Sequence, residues 1–324
     1  MPDDQFTAAD RTAALALVRA VAEADGFGAL SEDGRLALAH GRPGSAHVLW
    51  RDQKSDDARS VIGYLYLSPA DPAGDRTAEL CVAPERRGGG IGRALVAAAL
   101  AQTAGMLRIW AHGSLSTAQR LAESLDFAAV RDLRLMELRL EGGATVPSEG
   151  GTPVPFEAGT PVPWPPYQAP PGLSVRTFVP GQDEAVWLGL NSRAFAHHPE
   201  QGSWTARDLA EREAEPWFDP AGFFLLLAAG GEPIGFHWTK VHPAGAYGPE
   251  PVGEVYVLGV DPDRAGRGYG RLLADVGLRH LAQSGLHTIV LYVDGDNTPA
   301  VRLYESFGFR IRTVDTLYER RGSG

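Results

Sequence analysis

Along the first part of the chain, apolar residues recur with the period of a helix in some segments and with the period of two of a strand in others. A capping box formed by Thr7 and Asp10 predicts a helix that runs to about Ala24 and ends at Gly26, and Ser31 begins a second helix. Runs with a period of two predict strands over 47–50, 60–67 and 77–82. The pattern then predicts a helix over 91–104, a strand over 107–111, a helix over 117–124 and a strand over 128–140.

The second part of the chain repeats this order of elements. It predicts a strand over 173–178, a helix after Gly181 through Asn191, a short helix capped by Thr205 with Asp208, and strands over 223–229, 233–241 and 253–260. A helix over 269–283, a strand over 288–293, a helix over 299–306 and a final strand near 309–318 follow. The predicted fold class is α/β (α+β), with a mixed, mostly antiparallel sheet flanked by helices in each part.

Residues 141–172 separate the two parts. The segment contains nine prolines and six glycines and has little apolar periodicity, which is typical of a semi-extended linker. Its aromatic residues Trp164 and Tyr167 can anchor it to a domain surface. We therefore expect an N-terminal domain over 1–140, a linker over 141–172 and a C-terminal domain over 173–324, a division that suits a chain of 324 residues.

A glycine-rich turn follows a strand in both domains. When residues 80–95 are superposed on 258–273, an offset of 178 (258 − 80), the following pairs coincide: Pro84 with Pro262, Gly90 with Gly268, Gly92 with Gly270, and Arg93 with Arg271. Glycines let the main chain approach a ligand closely, and the free amides and dipole of the helix that follows favour an anion, most simply a phosphate. The sequence therefore predicts a phosphorylated cofactor in each domain.

Two common phosphate-binding loops have a different spacing. A P-loop needs Lys-Ser or Lys-Thr after its last glycine, where this chain has Arg93-Ala94 and Arg271-Leu272. The dinucleotide fingerprint Gly-x-Gly-x-x-Gly is not matched by the second turn, which is Gly266-Arg267-Gly268-Tyr269-Gly270. Nucleoside triphosphates and dinucleotides are therefore disfavoured as ligands.

The first turn, Arg87-Gly88-Gly89-Gly90-Ile91-Gly92, resembles the Arg/Gln-x-x-Gly-x-Gly/Ala loop of the GNAT family of N-acetyltransferases. The second turn resembles it too, except that Ala265 stands where Arg or Gln is usual. The resemblance implies acetyl-CoA as the cosubstrate of both domains and a sheet that splays beside Val260. In the N-terminal domain it implies contacts from Leu80, Cys81, Val82, Gly88, Gly89, Gly90, Ile91, Gly92 and Arg93. In the C-terminal domain it implies contacts from Leu258, Gly259, Val260, Ala265, Gly266, Arg267, Gly268, Tyr269, Gly270, Arg271, Asn297, Thr298, Pro299, Ala300, Val301 and Arg302.

Acetyl transfer from a thioester to an amine needs a neutral amine, a stabilised thioester oxygen and a proton for the leaving thiolate. Glu254 lies on the strand before the second turn, where its carboxylate can take the ammonium proton directly or through water. The main-chain amide of Leu258 or Val260 is the candidate donor to the oxygen. The resemblance implies that Tyr304 protonates the thiolate.

The N-terminal domain lacks both proton-transfer groups in the sequence alignment. Superposing 121–127 on 303–309, an offset of 182 (303 − 121), places Ala122 at the position of Tyr304. The offset of 178 places Arg76 at the position of Glu254. We therefore predict that the N-terminal domain binds acetyl-CoA without turning it over, and that the chain has one active site.

Longer strings resemble tandem-domain members of the same family that acetylate the cysteinyl amine of cysteinyl-glucosaminyl-inositol. They include Ser31-Glu32 and the segments 198–205, 235–240, 254–260 and 291–297. This resemblance implies acceptor contacts from Glu32, Glu200, Lys240, Glu254 and Tyr292. Three alternatives stay open: an N-acetyltransferase of aminoglycosides or polyamines, a non-catalytic acetyl-CoA sensor, and a protein N-terminal acetyltransferase.

Composition restricts the partners. A net charge of −10 and a pI near 5.4 argue against a nucleic-acid binder. Cys81 is the single cysteine, so the chain forms no internal disulfide, and we find no leader, no long apolar run and no metal-ligand spacing. We expect a cytoplasmic protein, most simply a monomer, that needs no metal.

Overall fold

The computed structural model describes residues 1–52, 60–140, 145–146, 154–155, 169–198, 201–245, 247 and 249–321. These residues form the helices α1 Ala8–Asp25, α2 Glu32–His40, α3 Ile91–Leu100, α4 Ser116–Glu123, α5 Glu184–Ala194, α6 Ala206–Glu213, α7 Tyr269–Gln283 and α8 Thr298–Ser306. They also form the strands β1 Ala46–Arg51, β2 Val61–Leu67, β3 Arg76–Val82, β4 Met106–Ala111, β5 Ala128–Arg139, β6 Thr145–Val146, β7 Val154–Pro155, β8 Leu173–Thr177, β9 Phe223–Ala228, β10 Pro233–His242, β11 Val252–Val260, β12 Thr288–Asp294 and β13 Arg310–Arg321.

The helix ends follow local side-chain chemistry. Thr7 and Asp10 form the predicted capping box of α1, and Gly26 ends that helix with a φ of 77°. Helix α3 ends at Leu100, four residues earlier than predicted. The amides of Gln102 and Thr103 there donate to carbonyls three residues back, so the chain tightens into a turn.

One continuous sheet of eleven strands runs through both domains, in the order β1-β2-β3-β4-β13-β5-β12-β11-β10-β9-β8. The β3–β4 and β11–β12 ladders are parallel and the other ladders of this sheet are antiparallel. Strand β5 of the N-terminal domain pairs with β12 and β13, and β13 of the C-terminal domain pairs with β4 and β5. Each domain therefore adds its last strand to the sheet of the other. The mixed, mostly antiparallel sheet confirms the predicted fold class.

Helices pack on both faces of the sheet because side chains alternate along each strand. On β2, Tyr64 and Tyr66 pack with α1 and α2, whereas Leu65 and Leu67 pack on the opposite face with α3. In the C-terminal domain α5 and α7 likewise pack on opposite faces of β10, where Trp238 packs with α5 and Ile234 packs with α7. Both domains thus have the three-layer packing that leaves the strand ends open for a site.

A buried ion network joins the two domains where β13 meets the N-terminal sheet. His112 Nδ1 lies 2.8 Å from Asp315 Oδ2, and its Nε2 lies 3.1 Å from Glu79 Oε2. Burial alone lowers the pKa of the imidazole, but hydrogen bonds to Asp315 and Glu79 raise it to about 10. His112 is therefore a buried cation between two carboxylates at neutral pH.

This network predicts a pH-dependent stability. The pKa of His112 rises from 6.5 to about 10 on folding, so its contribution is complete below pH 6.5 and is lost as the pH rises through about 10. We expect the free energy of unfolding to fall between these pH values in the wild type, and to fall less in His112→Gln. Urea unfolding at half-unit pH steps measures both slopes, and equal slopes in the two proteins would contradict the assignment.

The predicted linker lies mostly outside the described residues, and so do Trp164 and Tyr167. Within it, the short strands β6 and β7 pair with each other. Its end, Pro170–Gly172, leads directly into β8. None of the helices in the described part of the chain is long and apolar enough to cross a membrane.

Candidate active site

Both glycine-rich turns have the conformation of an anion-binding helix start. Gly88 and Gly90 have φ values of 76° and 86°, and their counterparts Gly266 and Gly268 have 74° and 80°. These values lie in the left-handed region that favours glycine. Gly90 and Gly268 are the N-caps of α3 and α7, and no described side chain caps either helix. The first-turn amides of both helices are therefore available to a ligand.

An equivalent arginine lies beside each turn. Arg93 donates to Ser124 Oγ at 2.7 Å, and Arg271 donates to Ser306 Oγ at 2.8 Å. Both pairs occupy matching positions of the repeat. The two turns therefore share their hydrogen-bonded surroundings as well as their glycines.

A cavity of about 530 Å³ opens beside the first turn. Of the residues predicted to bind the first acetyl-CoA, it is lined by Leu80, Cys81, Val82, Gly88, Gly90, Ile91, Gly92 and Arg93, and Gly89 is the one that does not line it. Arg87 lies in its wall, where both terminal nitrogens donate to Asp25. Burial raises the pKa of the Cys81 thiol to about 12, so this residue stays protonated and is not a nucleophile.

In the C-terminal domain the sheet opens between β11 and β12. The parallel ladder pairs 253–255 with 289–291 and ends there, while β11 continues along β10 to Val260. Beyond Val255, one edge of β11 has no strand partner among the described residues. Three predicted cofactor residues, Leu258, Gly259 and Val260, lie on this stretch.

The other predicted cofactor residues of this domain form two helix starts. Residues 265–271 comprise the second turn and the beginning of α7. Asn297 caps α8, where its Oδ1 accepts from the Ala300 amide at 3.2 Å, and the next five residues, 298–302, form the beginning of that helix. A second cavity, of about 490 Å³, borders the turn and is lined by Pro170, Pro171, Gly172, Leu173, Ala228, Ile234, Arg264, Arg267, Gly268, Tyr269 and Leu272.

These features fit the diphosphate of acetyl-CoA. Apart from the glycine and its two chain neighbours, no described residue lies within 4 Å of the place that a Cβ on Gly266 or Gly268 would take, so a ligand can reach the main chain there. The free amides supply donors, and Arg264 and Arg267 supply positive charge. Ala265 departs from the family pattern, but Arg264, which also lies 3.7 Å from a carboxylate oxygen of Glu232, and Arg267 are close to it in sequence and keep positive charge available.

Glu254 lies on β11 at the end of its ladder with β12. The residue is 7% exposed, and one carboxylate oxygen is 2.5 Å from His242 Nε2. The His242 ring packs edge-on against Tyr247, with 4.9 Å between ring centres. Sequence order alone does not identify His242, because only the β10–β11 pairing, in which His242 is opposite Val252, brings it diagonally next to Glu254.

Tyr304 lies on the buried side of α8, with its ring edge-on against Phe309. Burial raises the pKa of its phenol above the ordinary value, so the hydroxyl stays protonated at neutral pH. None of the described residues hydrogen-bonds this hydroxyl. Ala122, which lines the first cavity, stands at the corresponding place in the N-terminal domain.

Glu32 of the N-terminal domain contacts the C-terminal domain. Its carboxylate bonds Lys240 Nζ and the Tyr256 hydroxyl, and Arg212 Nε donates to the same hydroxyl at 2.7 Å. Burial alone raises the pKa of Glu32, but the charge and hydrogen bond of Lys240, the hydrogen bond from Tyr256 and the charge of Arg212 together hold the pKa below its ordinary value. Lys240 also lies 4.0 Å from the centre of the Trp217 ring. Two predicted acceptor residues, Glu32 and Lys240, are thus paired across the domains.

Tyr292 and Glu200 are the two remaining residues that are predicted to bind the acceptor. Tyr292, on β12, is 38% exposed, and its interaction with Tyr247 connects it to the His242–Glu254 pair. Glu200 lies outside the described residues. Among the described side chains, no group of three or more His, Cys, Asp or Glu is placed to hold a metal ion.

A β-bulge corrects one alignment made from the sequence. Trp238 pairs with Val257 and Thr239 with Val255, so Tyr256 is an extra residue on β11. In the parallel ladders Glu254 pairs with Val290, and the matching pair of the N-terminal domain is Thr77 with Arg108. Thr77, and not Arg76, therefore corresponds to Glu254. The N-terminal domain still has no carboxylate at this position.

The second turn predicts a specific effect on acetyl-CoA affinity. Replacing Gly268 by alanine puts a Cβ at a φ of 80°, on the surface that the diphosphate would approach. We expect the KM for acetyl-CoA to rise about tenfold or more, with a smaller change in the acceptor KM. Steady-state kinetics with each substrate varied in turn provide the measurement.

Gly285→Ala is the matched control for this change. Gly285 follows the other end of α7 with a φ of 77°, and no described residue beyond its two chain neighbours lies within 4 Å of the place that its Cβ would take. The backbone strain is therefore equivalent, but the residue is remote from the turn. An equal rise of the acetyl-CoA KM in both variants would show that strain, and not ligand contact, is responsible.

Comparison with known proteins agrees with this geometry. The model of the GNAT acetyltransferase family matches residues 189–309, and a GNAT domain model matches residues 44–129. A GCN5-related N-acetyltransferase from Sphaerobacter thermophilus has the same fold, with a TM-score of 0.67 at 22% identity over 98% of this chain and 94% of that chain. A tandem GNAT protein from the clavulanic acid biosynthesis pathway superposes with a TM-score of 0.68 at 19% identity, over 99% and 96% of the two chains.

Two relatives that align over nearly the whole chain are more similar to it in sequence than these two structures are. The mycothiol acetyltransferase of Streptomyces coelicolor is 47% identical over 97% of this chain and 93% of its own length. The mycothiol acetyltransferase of Thermobispora bispora is 47% identical over 97% of both chains. The chain therefore belongs to the GNAT family of acetyltransferases. Within that family its full-length relatives place it in the mycothiol acetyltransferase group.

Proposed function

We propose that this enzyme transfers the acetyl group of acetyl-CoA to the cysteinyl amine of cysteinyl-glucosaminyl-inositol, the last step of mycothiol biosynthesis. Similarity to full-length mycothiol acetyltransferases supports the reaction class. The observation that supports the assignment to the C-terminal domain is that this domain has a buried carboxylate, Glu254, on β11 at the end of its ladder with β12, and a buried phenol, Tyr304, on α8.

Glu254 is the proposed general base. The acceptor amine must lose a proton before it attacks the thioester carbonyl, and a carboxylate at the end of the β11–β12 ladder can take that proton directly or through water. Its hydrogen bond to His242 fixes the orientation of the carboxylate. Beyond Val255, main-chain amides of Leu258 or Val260 are the proposed donors to the carbonyl oxygen.

Tyr304 is the proposed general acid. Acetyl-CoA supplies an activated acyl group and a thiolate leaving group. The raised pKa of the phenol keeps a proton on Tyr304 until that thiolate forms. The absence of a described hydrogen-bond partner leaves the hydroxyl free to donate. In the N-terminal domain Ala122 and Thr77 supply no such groups, so we propose that the first site binds acetyl-CoA without turnover.

The proposed acceptor site lies between the domains. Glu32, Lys240, Glu254 and Tyr292 would bind the acceptor, together with Glu200. Carboxylates suit a cationic amine, and the mixture of charged and phenolic groups suits a polyhydroxylated sugar-inositol. All of these residues belong to one chain, so we propose a monomeric enzyme. Its unpaired Cys81 suits the reducing cytoplasm.

Incubation with acetyl-CoA and a panel of amines tests this function. The panel contains cysteinyl-glucosaminyl-inositol, an aminoglycoside, a polyamine and a peptide with a free amino terminus, and the product masses are measured. We expect one acetyl group on the cysteinyl compound and a much lower rate with the other amines. Acetylation of another amine alone would refute the acceptor and retain the enzyme class, whereas no product from any amine would favour an acetyl-CoA sensor.

A further inference from the structure

Glu79 is a buried carboxylate that the proposed mechanism does not use. It lies on β3, just before the first glycine-rich turn, and is 4% exposed. Its oxygens accept from the main-chain amide and the hydroxyl of Ser31, the latter at 2.6 Å. Ser31 is the N-cap of α2, so Glu79 binds the amino-terminal end of that helix, where a negative charge is favourable.

The first turn of α2 fits closely against this carboxylate. Ser31 Oγ accepts from the Gly34 amide at 3.1 Å, and a Cβ on Gly34 would lie 2.9 Å from Glu79 Oε1. Glycine at position 34 therefore allows the helix to approach. His112 contacts the Glu79 Oε2 atom that also accepts from the Ser31 amide, and His112 is itself fixed by Asp315 of the C-terminal domain.

Glu32 is the residue that follows Ser31, and its side chain contacts the opposite domain. The carboxylate reaches Lys240 and Tyr256 only when the first turn of α2 is correctly placed. Glu79 fixes the main chain one residue earlier. The order of contacts is therefore Asp315, His112, Glu79, Ser31 and then Glu32. It begins at Asp315 in the C-terminal domain and returns to that domain where Glu32 contacts Lys240 and Tyr256.

We propose that Glu79 and His112 are positioning residues for acceptor recognition, which act by holding the first turn of α2 so that Glu32 faces the acceptor. This inference rests on the proposed function, since it takes Glu32 as an acceptor contact. Neither residue touches the reacting atoms. Their loss should weaken acceptor binding and leave the chemical step nearly unchanged.

Three single variants test the proposal: Glu79→Gln, His112→Gln and Gly34→Ala. Each should raise the acceptor KM about tenfold, with kcat and the acetyl-CoA KM within about twofold of the wild type. Gly34→Ala keeps every polar group and has a higher helix propensity, and its Cβ would force the Glu79 carboxylate and the first turn of α2 apart. Glu23→Gln, an exposed glutamate on α1, is the matched control and should change none of these constants.

A double-mutant cycle with Glu32→Gln separates positioning from a general structural effect. Because Glu79 acts through Glu32, adding Glu79→Gln to Glu32→Gln should raise the acceptor KM no further. The proposal would be overturned if the rise of the acceptor KM in the double variant were the product of the rises in the two single variants. A fall of kcat as large as the rise of the acceptor KM in the three single variants would overturn it too. An unchanged acceptor KM in Glu32→Gln alone would overturn it as well, while the product-mass experiment would still decide the proposed function independently. If Glu79→Gln does not fold, Gly34→Ala takes its place in the cycle.

Discussion

Tyr304→Phe is expected to lower kcat for acetyl transfer by about a hundredfold to a thousandfold, in the range typical of a lost general acid. The change removes one oxygen from a buried ring that packs against Phe309, so the helix and the core should be retained. Because the hydroxyl has no described partner, its removal leaves no other described group unsatisfied. Rapid-quench measurement of the chemical step, with both KM values determined alongside, gives the result.

Tyr66→Phe is the matched control for Tyr304→Phe. Tyr66 is a buried tyrosine of the N-terminal domain whose hydroxyl makes no hydrogen bond of ordinary geometry in the described structure, although Arg42 lies near it. Its loss should leave kcat within about twofold of the wild type. If Tyr304→Phe behaves like this control, the assignment of the general acid is wrong and the case for a non-catalytic acetyl-CoA protein becomes stronger.

Glu254→Gln is expected to reduce kcat/KM for the acceptor by about two to four orders of magnitude at neutral pH, because the amide cannot accept the ammonium proton. Raising the pH should restore part of the rate, since a larger fraction of the acceptor amine is then already neutral. The pH–rate profiles of the wild type and the variant provide the measurement. Glu319→Gln is the control: it removes a carboxylate on β13 that pairs with Arg108 of β4, and it should leave the profile unchanged.

A pH-independent deficit in Glu254→Gln would argue against general-base catalysis. In that case the carboxylate would serve only to bind the acceptor, and its loss would appear in the acceptor KM. The His242 partner offers a second comparison. His242→Gln retains the Glu254 carboxylate, so it should reduce kcat/KM less than Glu254→Gln does.

Local signals in the sequence were sufficient for most individual elements. The capping box at Thr7, the Ser31 cap and the glycines of both turns each act within a few residues, so their effects can be derived from sequence order. Helix α7 has the predicted bounds, 269–283, because its glycine start and its apolar periodicity agree. The repeat itself marks the two turns that are predicted to bind the cofactor.

Long-range pairing was beyond the reach of sequence reasoning. Nothing in the alternation along β5 or β13 indicates which neighbour each strand pairs with, so the sequence does not predict the exchange of these strands between the domains. The bulge at Tyr256 displaced the alignment of Glu254 by one residue. His242 and Glu79 acquire their partners only through β-pairing and domain contact, and no sequence spacing marks them.

The central claim is that the second glycine-rich turn binds the diphosphate of acetyl-CoA and so directs the thioester toward Glu254 and Tyr304. A crystal structure of the protein with acetyl-CoA tests this claim most directly. The account predicts diphosphate oxygens on the amides of residues 266–271 and the sulfur within hydrogen-bonding distance of the Tyr304 hydroxyl. A second turn without ligand, or a sulfur remote from Tyr304, would contradict it.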